Sequence, residues 1–153
     1  MKKRYKFYGW EHAVIPATGE FYGKIQSPRE LYDILLQIWC ADTCAPRMRG
    51  AWSQKNPTLG QCSITAFLAQ DVFGGKVFGI PRPDGNYHCY NVVDSCVFDL
   101  TSEQFGDEIL IYENNPEQSR EVHFAKEEKR LRYEYLKTKF LQKIQVTLPD
   151  VEE

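Results

Sequence analysis

The chain has 153 residues, 42% of them apolar and 26% charged, and a formal net charge of −2. That balance excludes the disordered and membrane-spanning classes, and it gives no long-range attraction to nucleic acid or to an anionic membrane. The length fits one domain, residues 1–153, with a single core.

The first 26 residues read as irregular, with strand-like pieces around Tyr5–Tyr8 and a turn at Gly19. They begin basic but do not continue into the apolar centre of a signal peptide, and no run approaches the ~20 apolar residues of a spanning helix. A cytoplasmic location is therefore expected. Ser27-Pro28-Arg29-Glu30 starts a helix: Ser caps, Pro opens the first turn and Glu stands three residues after the cap. Leu31, Ile34, Leu35, Ile38 and Trp39 follow as one apolar stripe, which carries the helix to about Cys40. Residues 42–60 hold Pro46, Gly50, Pro57 and Gly60 and read as a loop, long enough to suggest function.

A second helix begins within Thr58–Cys62 and ends before Gly74-Gly75. Thr58-Leu-Gly-Gln61 matches a capping box, but Gly60 is a poor interior residue and favours the later start. The helix is apolar on most sides, the pattern of a central, buried one. Short strands are predicted at Lys76–Ile80, Tyr87–Val93 and Cys96–Leu100, with a tight turn at Asp94-Ser95 and a further strand candidate at Ile109–Tyr112. From about Glu117 the chain turns helical and charged. Tyr133, Leu136, Phe140 and Ile144 make its apolar stripe, and Pro149 and the acidic tail end it. The expected fold class is α+β, a central helix packed on an antiparallel sheet.

Five cysteines, 40, 44, 62, 89 and 96, lack the spacing of a disulfide framework and are expected to be free thiols. Of these, Cys62 lies nearest a helix N-terminus, where backbone N–H groups and the positive end of the dipole favour a thiolate. The same N–H groups suit a developing oxyanion. His88 stands in the middle of an apolar, aromatic strand and is the natural base. If Asp94-Ser95 is a two-residue turn, Val93 faces Cys96 and Tyr90 faces Asp99. Alternation then puts residues 88, 90, 97 and 99 on one sheet face, with Asp99 diagonal to His88 and within hydrogen-bond reach. A carboxylate there fixes the imidazole tautomer and supports its charged form. The plainer readings are a packing Cys, a structural His, and an Asp that caps the next turn, Thr101–Phe105.

The stretch Gly60-Gln-Cys-Ser-Ile-Thr-Ala-Phe-Leu-Ala-Gln-Asp-Val-Phe-Gly-Gly75, with His88-x-x-Asn91 and Asp99-Leu-Thr-x-x-Gln104-Phe105, resembles the YunG-like family of bacterial proteins. A closing Arg130-Leu-Arg-Tyr-Glu-Tyr-Leu136 segment extends the resemblance over roughly residues 30–140. The motif order is similar to that of papain-like and transglutaminase-like enzymes. This similarity implies Cys62 as nucleophile, His88 as base and Asp99 as orienter, with Gln61 or Gln54 as an oxyanion donor and Asn91 in support. It implies cysteine-dependent acyl chemistry, hydrolysis if water takes the acyl group and transfer if an amine does, and no cofactor.

Two other classes remain open at this level. A non-catalytic binding domain would line a groove with Trp39, Trp52 or Tyr90, of which Trp52, in the loop upstream of Cys62, is the better cleft residue. A metal site would draw on Cys40, Cys44, His88, Cys89 and Cys96, but the tight paired spacings of a zinc module are missing. The basic residues of the last helix, Lys126 and Lys129 among them, read as a solvated face rather than a nucleic-acid surface. A small-molecule, peptide or protein substrate is the expected partner.

Overall fold

A computed structural model describes residues 7–18, 22 and 25–146; the Gly19 turn, the first half of Tyr5–Tyr8 and the Pro149 terminus lie outside the described residues. Helix α1 spans Pro28–Ile38. Ser27 Oγ accepts the Glu30 N–H at 3.4 Å and Glu30 Oε1 accepts the Gln26 N–H at 2.7 Å, so both residues of the cap signature are used. The helix stops short of Cys40 because Trp39 turns to extended backbone, which sends its ring into the core to donate to Thr65 Oγ1 at 3.0 Å.

Helix α2, Cys62–Phe73, is the centre of the structure, with eight of its residues buried. It starts at Cys62 and not at Thr58. Gly60 decides this: its φ of +70° is left-handed, and a Cβ there would fall 2.5 Å from Cys44 Sγ and 3.0 Å from Ala45 N. Gly60→Ala is expected to destabilise the fold by about 2–5 kcal/mol, combining left-handed strain with overpacking. A urea midpoint equal to wild type would contradict this account of the turn.

Three antiparallel strands, β1 (Lys76–Pro81), β2 (Tyr87–Val93) and β3 (Cys96–Phe98), pair in that order. Val93 pairs with Cys96 across the Asp94-Ser95 turn, as the two-residue hairpin requires. The third strand is shorter than predicted. Beyond Phe98 only an isolated bridge continues it, from Asp99 to Tyr8. One face of β2 packs on α2, where Asn91 Nδ2 donates to the Ala66 carbonyl at 2.8 Å. Residues 109–112 are not a strand: Ile109 and Ile111 are exposed, and the segment crosses over the sheet as irregular chain. Residues 116–118 instead run along the free edge of β1, where Gln118 N–H donates to the Val77 carbonyl at 2.8 Å.

The charged C-terminal region forms two helices, α3 (Arg120–Phe124) and α4 (Glu127–Val146). Arg120 ties α3 to α2, donating to the Phe67 carbonyl at 2.8 Å and to Asp71 at 2.7 Å. The predicted stripe of α4 is buried at all four positions, Tyr133, Leu136, Phe140 and Ile144, and packs on α1 and α2. Among the described residues no helix is long and apolar enough to cross a membrane.

Candidate active site

The Gly60 turn delivers Cys62 as the first helical residue of α2, half-buried at the floor of a cleft of about 780 Å3. No side chain caps this helix end, and the first N–H in its backbone ladder is that of Thr65, which donates to the Gln61 carbonyl. The N–H groups of Cys62 and Ser63 therefore point toward the cleft end of the helix without a backbone partner among the described residues. That is the local geometry of an anion-stabilising helix start.

His88, on β2, is 2% exposed, and its Nε2 lies 2.6 Å from Asp99 Oδ2. The carboxylate is itself fully buried and held from both sides. Tyr112 Oη donates to Oδ2 at 2.7 Å, and Thr101 N–H donates to Oδ1 at 3.2 Å. Asp99 thus holds the histidine and Thr101 together, but it does not cap the turn Ser102–Phe105, whose N-cap is Thr101 and whose first turn has no side-chain cap. Phe105 covers the His88 ring edge-on with centroids 4.6 Å apart. Arg82 stacks over Phe105 in turn, paired with Glu108 at 2.9 Å.

With Nε2 engaged by Asp99, the ring nitrogen left for chemistry is Nδ1, which is buried and without a hydrogen-bond partner among the described residues. Cys62 is its neighbour, but the thiol is not aligned on it: Sγ addresses the Tyr87 carbonyl at 3.8 Å. Catalytic hydrogen bonds are often loose without substrate and tighten when it binds.

Electrostatics favour the charge-separated pair. A hydrogen bond from the Cys89 thiol is the largest influence on Cys62. Burial opposes it, and the adjacent His88 adds to it, leaving the Cys62 thiol well below its ordinary pKa. Cys89 moves the other way, because a charged Cys62 and burial both oppose its ionisation. Burial also works against a charge on His88, but the Asp99 carboxylate and Cys62 outweigh it and push the imidazole up to about 10. Both shifts favour the charged forms, thiolate for Cys62 and imidazolium for His88.

The other predicted site residues lie elsewhere. Gln61 is fully buried, and its Nε2 donates to the Cys40 carbonyl at 3.2 Å, so it faces the interior and not the oxyanion position. Gln54 is exposed on a turn outside the cleft. Trp52 is partly buried against the core, where its Nε1 donates to the Pro57 carbonyl at 2.9 Å. Asn91 holds α2 on the sheet face opposite His88, and Tyr90 is buried beneath Tyr112 and Asn115. Cys44 is buried under Gly60, and among the described residues no three metal-ligating side chains gather as a metal site would require.

Sequence reasoning read Cys89 only as a metal-ligand candidate and gave no role in this site to Tyr112, Phe105 or Gln104. The last clasps the site together: its Oε1 accepts the Gly60 N–H at 3.4 Å, while its Nε2 donates to the Thr101 carbonyl at 3.0 Å. The Gln-Phe pair of the motif after Asp99 was the available signal for two of these. Tyr112 gave none, because it reaches Asp99 from irregular chain.

Comparison with known proteins places these residues in a family. No solved structure matches the chain. A Bacillus subtilis (strain 168) protein named uncharacterized protein YunG is 35% identical over 107 residues, 70% of this chain and 85% of that one. The family described as YunG protein matches residues 27–145, a span that takes in α1, the Cys62 helix, the His88–Asp99 hairpin and almost all of α4; the chain belongs to the YunG family.

Proposed function

We propose that this protein is a cysteine-dependent acyl-transfer enzyme with a papain-like or transglutaminase-like arrangement of Cys62, His88 and Asp99. The observation that carries the reading is the 2.6 Å His88–Asp99 contact, which leaves Nδ1 as the ring nitrogen facing a cysteine at an uncapped helix start. The five free cysteines suit a reducing, cytoplasmic setting.

In this scheme the Cys62 thiolate attacks an amide or ester carbonyl carbon, forming the C–S bond. The carbonyl electrons move onto oxygen, and the Cys62 and Ser63 N–H groups stabilise that charge. As the tetrahedral species collapses, the bond to the leaving amine or alcohol breaks and that group takes the His88 Nδ1 proton. A thioester on Cys62 remains. An incoming water or amine gives its proton to His88, attacks the thioester carbon and expels the thiolate. Water yields an acid, and an amine yields a new amide.

The test is to trap the thioester. Incubation with a panel of activated 4-nitrophenyl esters is expected to add one acyl mass at Cys62, located by peptide mass spectrometry, and to release nitrophenol in a Cys62-dependent way. Equal nitrophenol release by Cys62→Ala with no adduct on Cys62 would leave a binding domain as the better reading.

A further inference from the structure

Positive charge lines the cleft although the chain as a whole carries a net charge of −2. Five cationic side chains line the cleft against two carboxylates. Three of the five are already neutralised: Arg132 by Glu128 at 2.6 Å, Arg82 by Glu108 at 2.9 Å and Arg47 by Asp84 at 3.5 Å. Arg132 is spent further on the Thr43 carbonyl, 3.0 Å away, which fastens α4 to the loop. Lys126 and Lys129 remain, at the junction of α3 and α4, and neither has an ion-pair partner among the described residues.

Lys129 is not a freely solvated surface lysine. It is partly buried, and the desolvation, with Lys126 and Arg132 nearby, opposes its charge. His123 lines the same cleft with its Nε2 buried and unpartnered, and burial together with Lys129 keeps its imidazole neutral, down to about 4. Exposed Lys126 and half-buried Lys129 both line the cleft, and this pair of neighbouring ammonium groups forms a site that a bound anion would complete.

We infer that the cleft takes an acyl substrate bearing a carboxylate, with Lys126 and Lys129 on the carboxylate and the reacting carbonyl at Cys62. The inference rests on the catalytic reading above and adds the substrate class. A cleft of about 780 Å3 is the size that encloses a small ligand or a short peptide segment.

Paired reagents that differ only in charge test it. Iodoacetate and iodoacetamide alkylate the same thiolate by the same displacement, so the ratio of their rates at Cys62, referred to that ratio for glutathione, reads the field in the cleft. The ratio is expected to exceed the glutathione value about fivefold or more at low ionic strength and to fall as salt is added. It should drop at least about threefold in the Lys126→Gln, Lys129→Gln double variant. A ratio equal to that of glutathione, or an elevated one that the double variant leaves unchanged, overturns the assignment.

Binding separates this inference from the catalytic one. Glutarate is expected to bind the Cys62→Ala protein in calorimetry and its neutral diamide not to, with the double lysine substitution abolishing the difference. If Cys62 is inert toward both alkylating reagents but glutarate binds in this lysine-dependent way, the catalytic reading falls and the anion site stands. If neither compound binds, the anion site is overturned whatever Cys62 does.

Discussion

At pH 5.5 the His88→Ala variant is expected to lose at least about tenfold in the rate of Cys62 alkylation by iodoacetamide. The size follows from two opposed effects. A thiol with the reference pKa of about 8.5 is roughly one part in a thousand ionised at that pH, whereas Cys62, held well below its ordinary pKa by Cys89 and His88, is ionised to a much larger extent. Intrinsic nucleophilicity falls as the pKa falls, which takes back part of the gain. Near pH 7 the two effects nearly cancel, so a measurement there discriminates poorly. At pH 5.5 ionisation wins. The wild-type profile should be flat from the apparent pKa of the pair upward, while the variant should rise about tenfold per pH unit until it reaches its own pKa. Under the proposed acyl-transfer chemistry the profile should also fall toward pH 10, where His88 loses the proton that it would give to the leaving group. These apparent values belong to the coupled pair and not to either residue alone. Superimposable profiles for wild type and His88→Ala would remove His88 from the mechanism.

The sequence disclosed the parts of this site whose positions follow from short-range rules. Helix start, hairpin register and strand alternation operate within a dozen residues, so the Gly60 turn, the Asp94-Ser95 hairpin and the diagonal from His88 to Asp99 were all legible. Apolar periodicity likewise placed α1 and the buried stripe of α4, and an unbroken apolar run between glycine turns placed α2. What escaped lay in segments without periodicity. Tyr112 reaches Asp99 from irregular chain, and Lys126 and Lys129 come to line the same cleft as Cys62 through the long-range packing of α4 on α1 and α2. Nearness in sequence misled for Gln61 and Gln54. Each stands close to Cys62 along the chain, yet one is drawn into the core by the Cys40 carbonyl and the other lies on an exposed turn. Trp52 made the same case for a cleft lining, and its ring went to the core instead.

Asp99→Asn is expected to cost stability and the charge on His88 together. The wild-type carboxylate accepts from His88, Tyr112 and Thr101 in a fully buried position, and an amide there presents a donor where acceptors are needed. Removing one partner of a buried charged pair costs about 3–5 kcal/mol, and that is the loss expected in urea unfolding at pH 6. Its pH dependence carries the sign of the His88 shift. A folded-state pKa of about 10, above the unfolded value of 6.5, gives stability that is fully present below pH 6.5 and is lost as pH rises toward 10. The gap between wild type and Asp99→Asn should therefore be widest below pH 6.5 and narrow toward pH 10. Cys62 acts in the opposite sense: its depressed pKa stabilises the fold above the unfolded thiol value and loses that contribution as pH falls through the folded one. Between 6.5 and about 9 the two slopes offset, so wild-type stability should be nearly flat there, and Cys62→Ser should uncover the downward slope due to His88. In Asp99→Asn, burial acts on His88 unopposed by the carboxylate, so the imidazole should be neutral at pH 7 and Cys62 should lose the His88 share of its support while keeping the Cys89 hydrogen bond. NMR titration of the His88 ring reads this directly. A ring still protonated at pH 8 in the variant would mean that Cys62, and not Asp99, holds the charge in place.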